Sequence, residues 1–337
     1  MILLLPNDIR IQITTRCNHH CKHCFASSDN ETAIKELNDV EILNIIDELD
    51  HENLKAISIT GGEPLIRLGL VYRILERLQT HPVRITLNTN GWFLTKDVAK
   101  RLAETGLDIV QISLDSSDEE KHDSFREMKG SYRRALQAIE NSVEAGLETH
   151  VRTTITPFNY DEMPSILELA LEKGAHRFVV KPLILSGRAS SHCDALSSEQ
   201  HMRAVNDLLN QIHENPNLTK NQIQFLSPCF PFLIDREYIQ DSEPCECGDG
   251  LAFIAANGDV QPCGYAHIPL GNILKTDLES IWNNSPDLSN WRENRLNGKC
   301  LVCEFNEICR GGCRAAAYEA NGDFTVPDPT CWLEGSK

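Results

Sequence analysis

The chain has 337 residues, of which 41% are hydrophobic and 24% charged, a composition typical of globular domains rather than of disordered segments. Its formal net charge of −17, from 49 acidic and 32 basic residues, would repel a phosphate backbone and argues against a nucleic-acid partner. No apolar run approaches the roughly 18 residues of a membrane span, and the apolar start is too short for a signal peptide. We therefore expect a cytoplasmic protein without a membrane partner.

Short apolar runs alternate with amphipathic stretches from residue 7 to about residue 182. The runs are rich in Ile, Val and Thr and predict strands at 9–14, 56–60, 84–87, 109–114, 150–155 and 178–181. Helical spacing of apolar residues predicts helices at 38–49, 70–78, 97–104, 132–145 and 163–173. About six such units predict an α/β fold with a parallel sheet, either doubly wound or a partial (β/α)6 barrel. In both folds function lies at the carboxyl ends of the strands.

The second part of the chain has a different character. Residues 183–198 predict a connector, and a further helix is expected at 199–212. From about Cys229 onward Gly, Pro and Cys are dense and periodicity is weak. Such a segment is not expected to build a large apolar core, so we expect metal centres to hold it.

Thirteen cysteines in a reducing compartment predict metal or iron–sulfur ligands rather than disulfides. Cys17, Cys21 and Cys24 follow the first predicted strand with C-x3-C-x2-C spacing, which places them on one loop. Three thiolates on a four-iron cube leave one iron open to a small molecule. The alternative is a zinc site completed by a histidine of the same loop, although zinc sites favour C-x2-C or C-x2-H pairs.

Together with Phe25, which follows them, the three cysteines resemble the signature of the radical S-adenosylmethionine (AdoMet) superfamily. The resemblance implies a catalytic 4Fe–4S cluster whose open iron binds the methionine part of AdoMet. Reduction of that complex then yields a 5′-deoxyadenosyl radical. The motif Gly61-Gly62-Glu63-Pro64, which follows the second predicted strand, resembles the methionine-binding motif of the family. A lone motif of this kind would also suit a plain turn.

Further residues are assigned to the AdoMet site by the same resemblance. Asn90 ends the third predicted strand and is expected to line the cofactor pocket, and Ser113 in the fourth resembles the ribose-contacting position. Arg134 resembles a basic residue that approaches the methionine carboxylate, and its neighbour Arg133 could equally be a solvated helix charge. Leu183 is a candidate for packing on the adenine, or is an ordinary core leucine.

The C-terminal cysteines resemble the seven-cysteine pattern of the SPASM extension, which occurs on radical enzymes that modify peptides and proteins. By that resemblance a first auxiliary 4Fe–4S cluster is bound by Cys247, Cys263 and Cys313. The second is bound by Cys300, Cys303, Cys309 and Cys331. The fourth ligand of the first cluster is left open between Cys245, Cys229 and substrate, and structural zinc sites are the alternative for both groups. We expect a core domain at 1–200 and a connector helix with the auxiliary-cluster domain at 201–337.

The resemblance implies abstraction of a hydrogen atom from an unactivated carbon, followed by oxidation through an auxiliary cluster. We expect maturation of a ribosomally made peptide by crosslinking, oxidation or epimerisation, with an electron donor such as flavodoxin or ferredoxin as a second partner. Because the cysteine loop begins at residue 17, we expect no leader-recognition domain before it. Tetrapyrrole side-chain chemistry is the alternative enzyme function, and a non-catalytic iron–sulfur electron-transfer protein is the third reading. No side chain stands out as a catalytic acid or base.

Overall fold

The computed structural model describes residues 5–29, 34–226, 229–239, 245–293 and 296–333. The strands are β1 (Asp8–Gln12), β2 (Ala56–Thr60), β3 (Arg84–Thr89), β4 (Ile109–Ser113), β5 (Glu148–Ile155), β6 (Arg177–Pro182), β7 (Ile223–Phe225), β8 (Leu251–Ile254), β9 (Asp259–Gln261) and β10 (Gly271–Asn272). The α-helices are α1 (Asp39–Glu48), α2 (Leu68–Leu78), α3 (Lys96–Glu104), α4 (Glu119–Arg126), α5 (Ser131–Glu144), α6 (Met163–Glu172), α7 (Ala189–His192), α8 (Ser198–Glu214), α9 (Leu278–Asn284), α10 (Pro286–Arg292), α11 (Asn306–Cys309) and α12 (Arg314–Asn321).

One ten-stranded sheet runs in the order β10-β9-β8-β1-β2-β3-β4-β5-β6-β7. From β1 to β7 each strand lies parallel to the next strand of the chain, as expected when helices make the crossovers. β8 pairs parallel with the other side of β1, and β9 and β10 continue from it antiparallel. The predicted α/β class, with its partial parallel barrel and cysteine-rich C-terminal domain, is confirmed.

Alternation along the strands separates an apolar outer layer from a polar interior. In β3 the side chains of Ile85 and Leu87 are buried at 2% and 0% exposure, as outward residues covered by helices would be. Arg84, Thr86 and Asn88 alternate with them and line a central cavity. The parallel strands therefore enclose polar groups rather than a second apolar core.

Side-chain caps explain where several helices begin. The Asn38 side chain accepts hydrogen bonds from the backbone N–H groups of Val40 and Glu41, and the Glu41 carboxylate accepts one from the backbone N–H of Asn38. This capping box starts α1 at the predicted position. A similar box at Ser197 starts α8, the predicted connector helix. Gly106, Gly146 and Gly174, predicted to follow helices, all have positive φ.

The C-terminal region shares the apolar core of the barrel. Trp282 on α9 and Leu288 on α10 are both fully buried, and they belong to the same core cluster as Ile9 of β1. The expectation that metal centres rather than apolar packing hold this region is therefore wrong in part. The sequence missed this because β8, β9 and β10 are short and their partners are distant in the chain. None of the described helices has the length and apolar character needed to cross a bilayer.

Candidate active site

A cavity of about 380 Å³ occupies the interior of the parallel strands. Its lining extends from Arg84, the first residue of β3, to Thr89, the last, so the cavity runs the length of the strand. At the carboxyl ends of the strands it reaches the cysteine loop and the Gly61-Gly62 turn. This is the edge at which parallel α/β proteins place their ligands.

The three cysteines of the N-terminal loop lie together on the pocket wall. Cys17, Cys21 and Cys24 all line the cavity, none is in a disulfide, and Cys17 is buried. Burial, with smaller contributions from neighbouring thiols, raises the pKa of both Cys17 and Cys21 to about 12. Such thiols ionise when a metal centre neutralises them, so the chemistry of this donor set fits an iron–sulfur cluster.

The Gly61-Gly62-Glu63-Pro64 motif supports the cysteine loop and the next strand end. The Gly62 backbone N–H donates to the Thr14 carbonyl at 2.7 Å, and that of Glu63 donates to the Arg16 carbonyl at 2.8 Å. The fully buried Glu63 carboxyl accepts hydrogen bonds from Thr89 Oγ1 at 2.7 Å and from the Asn90 backbone N–H at 2.8 Å. Burial raises its pKa to about 7. Pro64 begins a 3-10 turn directly after it.

The remaining predicted AdoMet residues are only partly brought together. Phe25, Asn90, Ser113 and Leu183 line the cavity with the cysteines. Arg134 does not line it: its guanidinium lies 5.5 Å from the centre of the Trp92 ring, on a smaller neighbouring cavity. The predicted contact between Arg134 and the methionine carboxylate stays a prediction.

Arg126, at the end of helix α4, which the sequence did not predict, is a buried cation beside the cysteine loop. It is 5% exposed, lines the cavity, and donates from Nη2 to Asp115 Oδ2 at 2.6 Å. Burial opposes ionisation of Asp115, but Arg126 and His23 nevertheless hold its pKa at about 2. Within the described part of the chain, Arg126 Nε is buried without a hydrogen-bond partner. A free donor of this kind suits an anionic ligand.

The histidines next to the cysteines attach the loop to α4. The His23 ring stacks on Phe125 with centroids 4.5 Å apart, and His20 Nδ1 lies 2.9 Å from Glu127 Oε2. The sequence did not reveal α4 because the helix is mostly charged and lacks apolar periodicity. Its one usable signal is Asp118, whose side chain caps the helix by accepting from the Lys121 N–H.

The connector after β6 holds the other side of the cysteine loop. Arg188 donates from its backbone to the Cys24 carbonyl at 2.9 Å and from its guanidinium to the carbonyls of Cys21 and Ser28. Gly187 lies against the Phe25 carbonyl with φ of 60°, so a Cβ there would overlap the loop backbone. Neither residue had been predicted to act at the site.

Four C-terminal thiols form a first auxiliary group. The thiols of Cys245, Cys247 and Cys263 act on one another: Cys247 lowers the pKa of Cys245 and of Cys263, and these two raise the pKa of Cys247. Burial raises the pKa of Cys313, and the charges of Asp328, Cys245 and Cys263 raise it further, so its thiol faces the same group. Cys245 therefore lies with the three predicted ligands.

Cys229, the other candidate for the fourth ligand, lies elsewhere. It is 1% exposed, and its thiol is 3.5 Å from the carbonyl oxygen of Val180 in β6. The structure thus distinguishes two cysteines that spacing alone could not rank.

The second auxiliary group contains the other predicted cysteines. Burial and the charges of Cys331 and Cys300 raise the pKa of Cys309 to about 12, and Cys303 and Cys331 act on Cys300 in the same direction. Among the described residues no three Cys, His, Asp or Glu side chains converge as ligands of one metal ion. Thiols that shift one another's pKa are near neighbours, and this donor set fits the 4Fe–4S cluster expected from the sequence.

Basic side chains dominate the charged lining of the central cavity. The described lining residues include one carboxylate, that of Asp115, and six cationic side chains: Arg10, Arg84, Arg126, Arg152, Arg177 and Lys181. In a chain with a net charge of −17 the interior thus carries the opposite sign from the whole. A cavity of this charge favours anionic ligands.

Comparison with known proteins agrees with the site. Residues 11–170 match the Radical SAM superfamily, and residues 245–304 match SPASM, an iron–sulfur cluster-binding domain. An AdoMet-dependent heme synthase of Methanosarcina barkeri is 32% identical over 97% of this chain and 96% of its own length. The chain belongs to the radical SAM superfamily. This superfamily consists of enzymes, and its cofactors, 4Fe–4S clusters and AdoMet, are those expected from the sequence.

Other relatives of this radical SAM enzyme include a second heme synthase and a peptide maturase. An AdoMet-dependent heme synthase of Nitratidesulfovibrio vulgaris is 30% identical over 95% of this chain and 90% of its own length. The mycofactocin maturase MftC of Mycolicibacterium smegmatis is 31% identical over 98% of this chain and 83% of its own length. Among solved structures, Streptococcus suis SuiB bound to S-adenosylmethionine is similar with a TM-score of 0.77 at 20% identity, covering 98% and 78% of the two chains. That likeness concerns the fold.

Proposed function

We propose that this enzyme oxidises carboxylate-bearing side chains of a tetrapyrrole, a step of haem formation. The observation that carries the proposal is the basic lining of the central cavity, which suits a substrate with several carboxylates. Two relatives named as heme synthases, each similar over at least 95% of this chain, support it. The sequence alone had favoured a peptide substrate and placed the tetrapyrrole second.

The size of the cavity supports chemistry on a side chain. A volume of about 380 Å³ lies near the lower end for a ligand cavity, so a whole macrocycle would not fit beside AdoMet and only an arm of the substrate would enter. The proposed reaction converts a propionate arm to a vinyl group: the arm loses one hydrogen atom, carbon dioxide and one electron. The cofactors would supply a hydrogen-abstracting radical at the cysteine loop and an electron acceptor at the auxiliary thiols.

The residues of the chain would bind and orient the reactants. Cys17, Cys21 and Cys24 would hold the catalytic cluster, and Glu63, which hydrogen-bonds to Thr89 and Asn90 at the end of β3, would position the strand ends that receive the amine of AdoMet. We assign the AdoMet carboxylate to Arg126, because Arg126 lines the cavity with the cysteines and its Nε has no protein partner among the described residues. The auxiliary clusters would be held by the two groups of four thiols.

Peptide maturation is the second candidate, supported by the similarity to the mycofactocin maturase over 98% of this chain. A peptide with a free carboxylate would also be attracted by the basic cavity. The basic cavity thus does not distinguish the two substrates. They differ in the part that stays at the mouth of the cavity, where a flat macrocycle and an extended peptide chain make different contacts.

The deciding experiment incubates the reconstituted enzyme anaerobically with AdoMet, reductant and iron coproporphyrin III, a porphyrin with propionate arms. We expect release of 5′-deoxyadenosine, and product masses that show loss of carbon dioxide and two hydrogens per converted arm. The matched control replaces Cys17, Cys21 and Cys24 by Ala and should release no 5′-deoxyadenosine. Release of 5′-deoxyadenosine from the native enzyme with the porphyrin unchanged would contradict the tetrapyrrole proposal and favour a peptide.

A further inference from the structure

Three of the basic side chains form a cluster in the barrel interior, which we call the basic arc: Arg10 of β1, Arg152 of β5 and Lys181 of β6. Lys181 is 5% exposed, and its Nζ lies 3.2 Å from the centre of the Tyr265 ring. Arg152 donates from Nη1 to Gln111 Oε1 at 3.1 Å, an uncharged partner that orients the guanidinium. The basic arc lies between the cysteine loop and the first auxiliary thiols. Tyr265 contacts the cysteine loop through Phe25, and the centroids of these two rings are 4.6 Å apart.

Among the described residues no carboxylate hydrogen-bonds to the basic arc, of which Lys181 is buried and Arg10 and Arg152 are half-buried. Arg10 approaches Asp8 only at 3.9 Å, and both Arg10 Nε and Asp8 Oδ1 are buried without hydrogen bonds in the described structure. The carboxylate of Asp115 is engaged by Arg126 at 2.6 Å. Burial lowers the pKa of Arg152, and the like charge of Arg10 adds to this effect despite the opposing effects of Tyr265 and Asp115. Uncompensated buried charge is costly, so this arrangement is expected to recruit an anion.

One source of compensation is the auxiliary cluster itself. Arg10 lies on β1 opposite Phe253 of β8, in the strand pair that leads into the Cys247 and Cys263 segments, so Arg10 would face the cluster as a counter-charge. Arg152 differs: it lies on β5 between β4 and β6, and its side-chain partner is the uncharged Gln111. The cluster therefore accounts for one side of the arc and leaves Arg152 for a ligand.

We propose that Arg152 and Lys181 bind a carboxylate of the substrate, with Arg10 behind them, and thereby place the substrate arm between the cysteine loop and the first auxiliary thiols. The identity of the ligand rests on the proposed function: the carboxylate belongs to a tetrapyrrole arm. A guanidinium can bind a carboxylate through two parallel hydrogen bonds, while an ammonium adds a point charge. Gln111 and Tyr265 act as positioning residues that hold the two cations in place.

Porphyrin binding to the native and substituted holoenzymes tests the site directly. With AdoMet bound, Arg152→Gln should weaken binding of iron coproporphyrin III by about 10- to 100-fold, the range expected for a lost hydrogen bond to a charged group. Arg152→Lys keeps the charge but loses the planar guanidinium, so its affinity for the porphyrin should lie between those of the native enzyme and Arg152→Gln. The control is Arg133→Gln, because Arg133 is exposed on α5 and pairs with Glu119 on the surface. Iron content should stay equal in all four proteins.

A second measurement separates this proposal from the identity of the substrate. Glutarate, a small dicarboxylate, should raise the unfolding temperature of the native holoenzyme by roughly 2–4 °C near saturation and should not raise that of Arg152→Gln. Its uncharged diamide should stabilise neither protein. If glutarate stabilises both proteins equally, or if Arg152→Gln binds the porphyrin as tightly as the native enzyme, the carboxylate site is wrong. If the native enzyme responds to glutarate through Arg152 but binds no porphyrin, the site stands and the tetrapyrrole proposal fails.

Discussion

The two cysteines that spacing could not rank differ in their surroundings, and this difference gives a test at the scale of single residues. Cys245 and Cys247 shift each other's pKa, whereas the Cys229 thiol lies 3.5 Å from the Val180 carbonyl oxygen. We predict that Cys245→Ser loses the first auxiliary cluster or makes it labile, while Cys229→Ser retains the full iron content. Iron analysis and electron paramagnetic resonance of the reduced proteins measure this. Equal iron loss in both variants, or loss in Cys229→Ser alone, would contradict the assignment.

Arg126 supports both stability and ligand binding, and paired substitutions separate the two effects. Arg126→Gln leaves Asp115 buried without its partner, which should cost about 3–5 kcal/mol of unfolding free energy. Adding Asp115→Asn removes the unpaired charge and should restore much of that stability. The affinity for AdoMet should stay lowered by about 10- to 100-fold in both proteins.

Arg134→Gln is the control for this experiment, because Arg134 lies over Trp92 outside the central cavity. Equilibrium binding of AdoMet and urea unfolding are the two readouts. Normal AdoMet binding in the double variant, with lost binding in Arg134→Gln, would favour the role that family resemblance gives to Arg134.

His201 links stability to pH. It is fully buried on α8, its Nδ1 lies 3.2 Å from the Thr330 carbonyl, and burial lowers its pKa to about 4. Between pH 4 and the usual value near 6.5 the unfolded chain binds a proton that the folded chain does not, so stability falls as pH falls through this window. The largest contribution is about 1.4 kcal/mol per pH unit. Urea unfolding at several pH values should show a smaller slope for His201→Gln, and an unchanged slope would contradict this account.

At the scale of elements, two glycines clamp the cysteine loop from opposite sides. A Cβ on Gly62 would overlap the Arg16 and Thr15 carbonyls, and one on Gly187 would overlap the Phe25 carbonyl. We predict that Gly62→Ala and Gly187→Ala each lower iron incorporation at the N-terminal loop. Gly69→Ala is the matched control, since a Cβ there meets no atom within 4 Å and alanine favours α2. Full iron incorporation in both clamp variants would show that the loop tolerates displacement.

The elements that sequence reasoning predicted share a local cause. The strand at 56–60 was placed on the observed residues, and α1 begins at its predicted cap, because apolar periodicity and capping act over a few residues. The elements that sequence reasoning missed depend on partners that are distant in the chain. β7 to β10 have two to four residues each and are defined by pairing, and α4 is held by its cap and by the cysteine loop. The connector residues Gly187 and Arg188 act on a loop more than 160 positions earlier, which no local pattern reveals.

The residues of the candidate site were also predicted only in part. The cysteine groups and the glycine motif were visible because their chemistry demands fixed residue types at fixed spacing. The basic arc was not, because Arg10, Arg152 and Lys181 come from three strands whose order in the sheet had to be known. Spacing also left Cys245 and Cys229 unranked, since only the folded chain shows which thiol meets the others.

At the scale of the whole molecule, the acidic chain encloses a basic cavity, and this separation has a consequence for the substrate. A long-range field from a net charge of −17 repels polyanions, so a tetracarboxylate must gain more inside the cavity than it loses on approach. The interior cations act at short range, where low dielectric strengthens them and salt screens them little. A basic electron donor or a basic delivery partner would approach the outer surface more readily than an acidic one.

The C-terminal region is part of the same folding unit as the barrel, although its cysteines mark it as a separate domain in sequence. β8 pairs along β1 from Asp8 to Ile11, and Trp282 is buried in the common core. A fragment ending at residue 226 would expose one edge of β1 and the apolar surface under α9 and α10. We predict that this fragment neither unfolds cooperatively nor binds AdoMet, whereas the full chain unfolds in one transition. Circular dichroism and calorimetry of the two proteins measure this, and a fragment that melts cooperatively and binds AdoMet would instead establish an independent core domain.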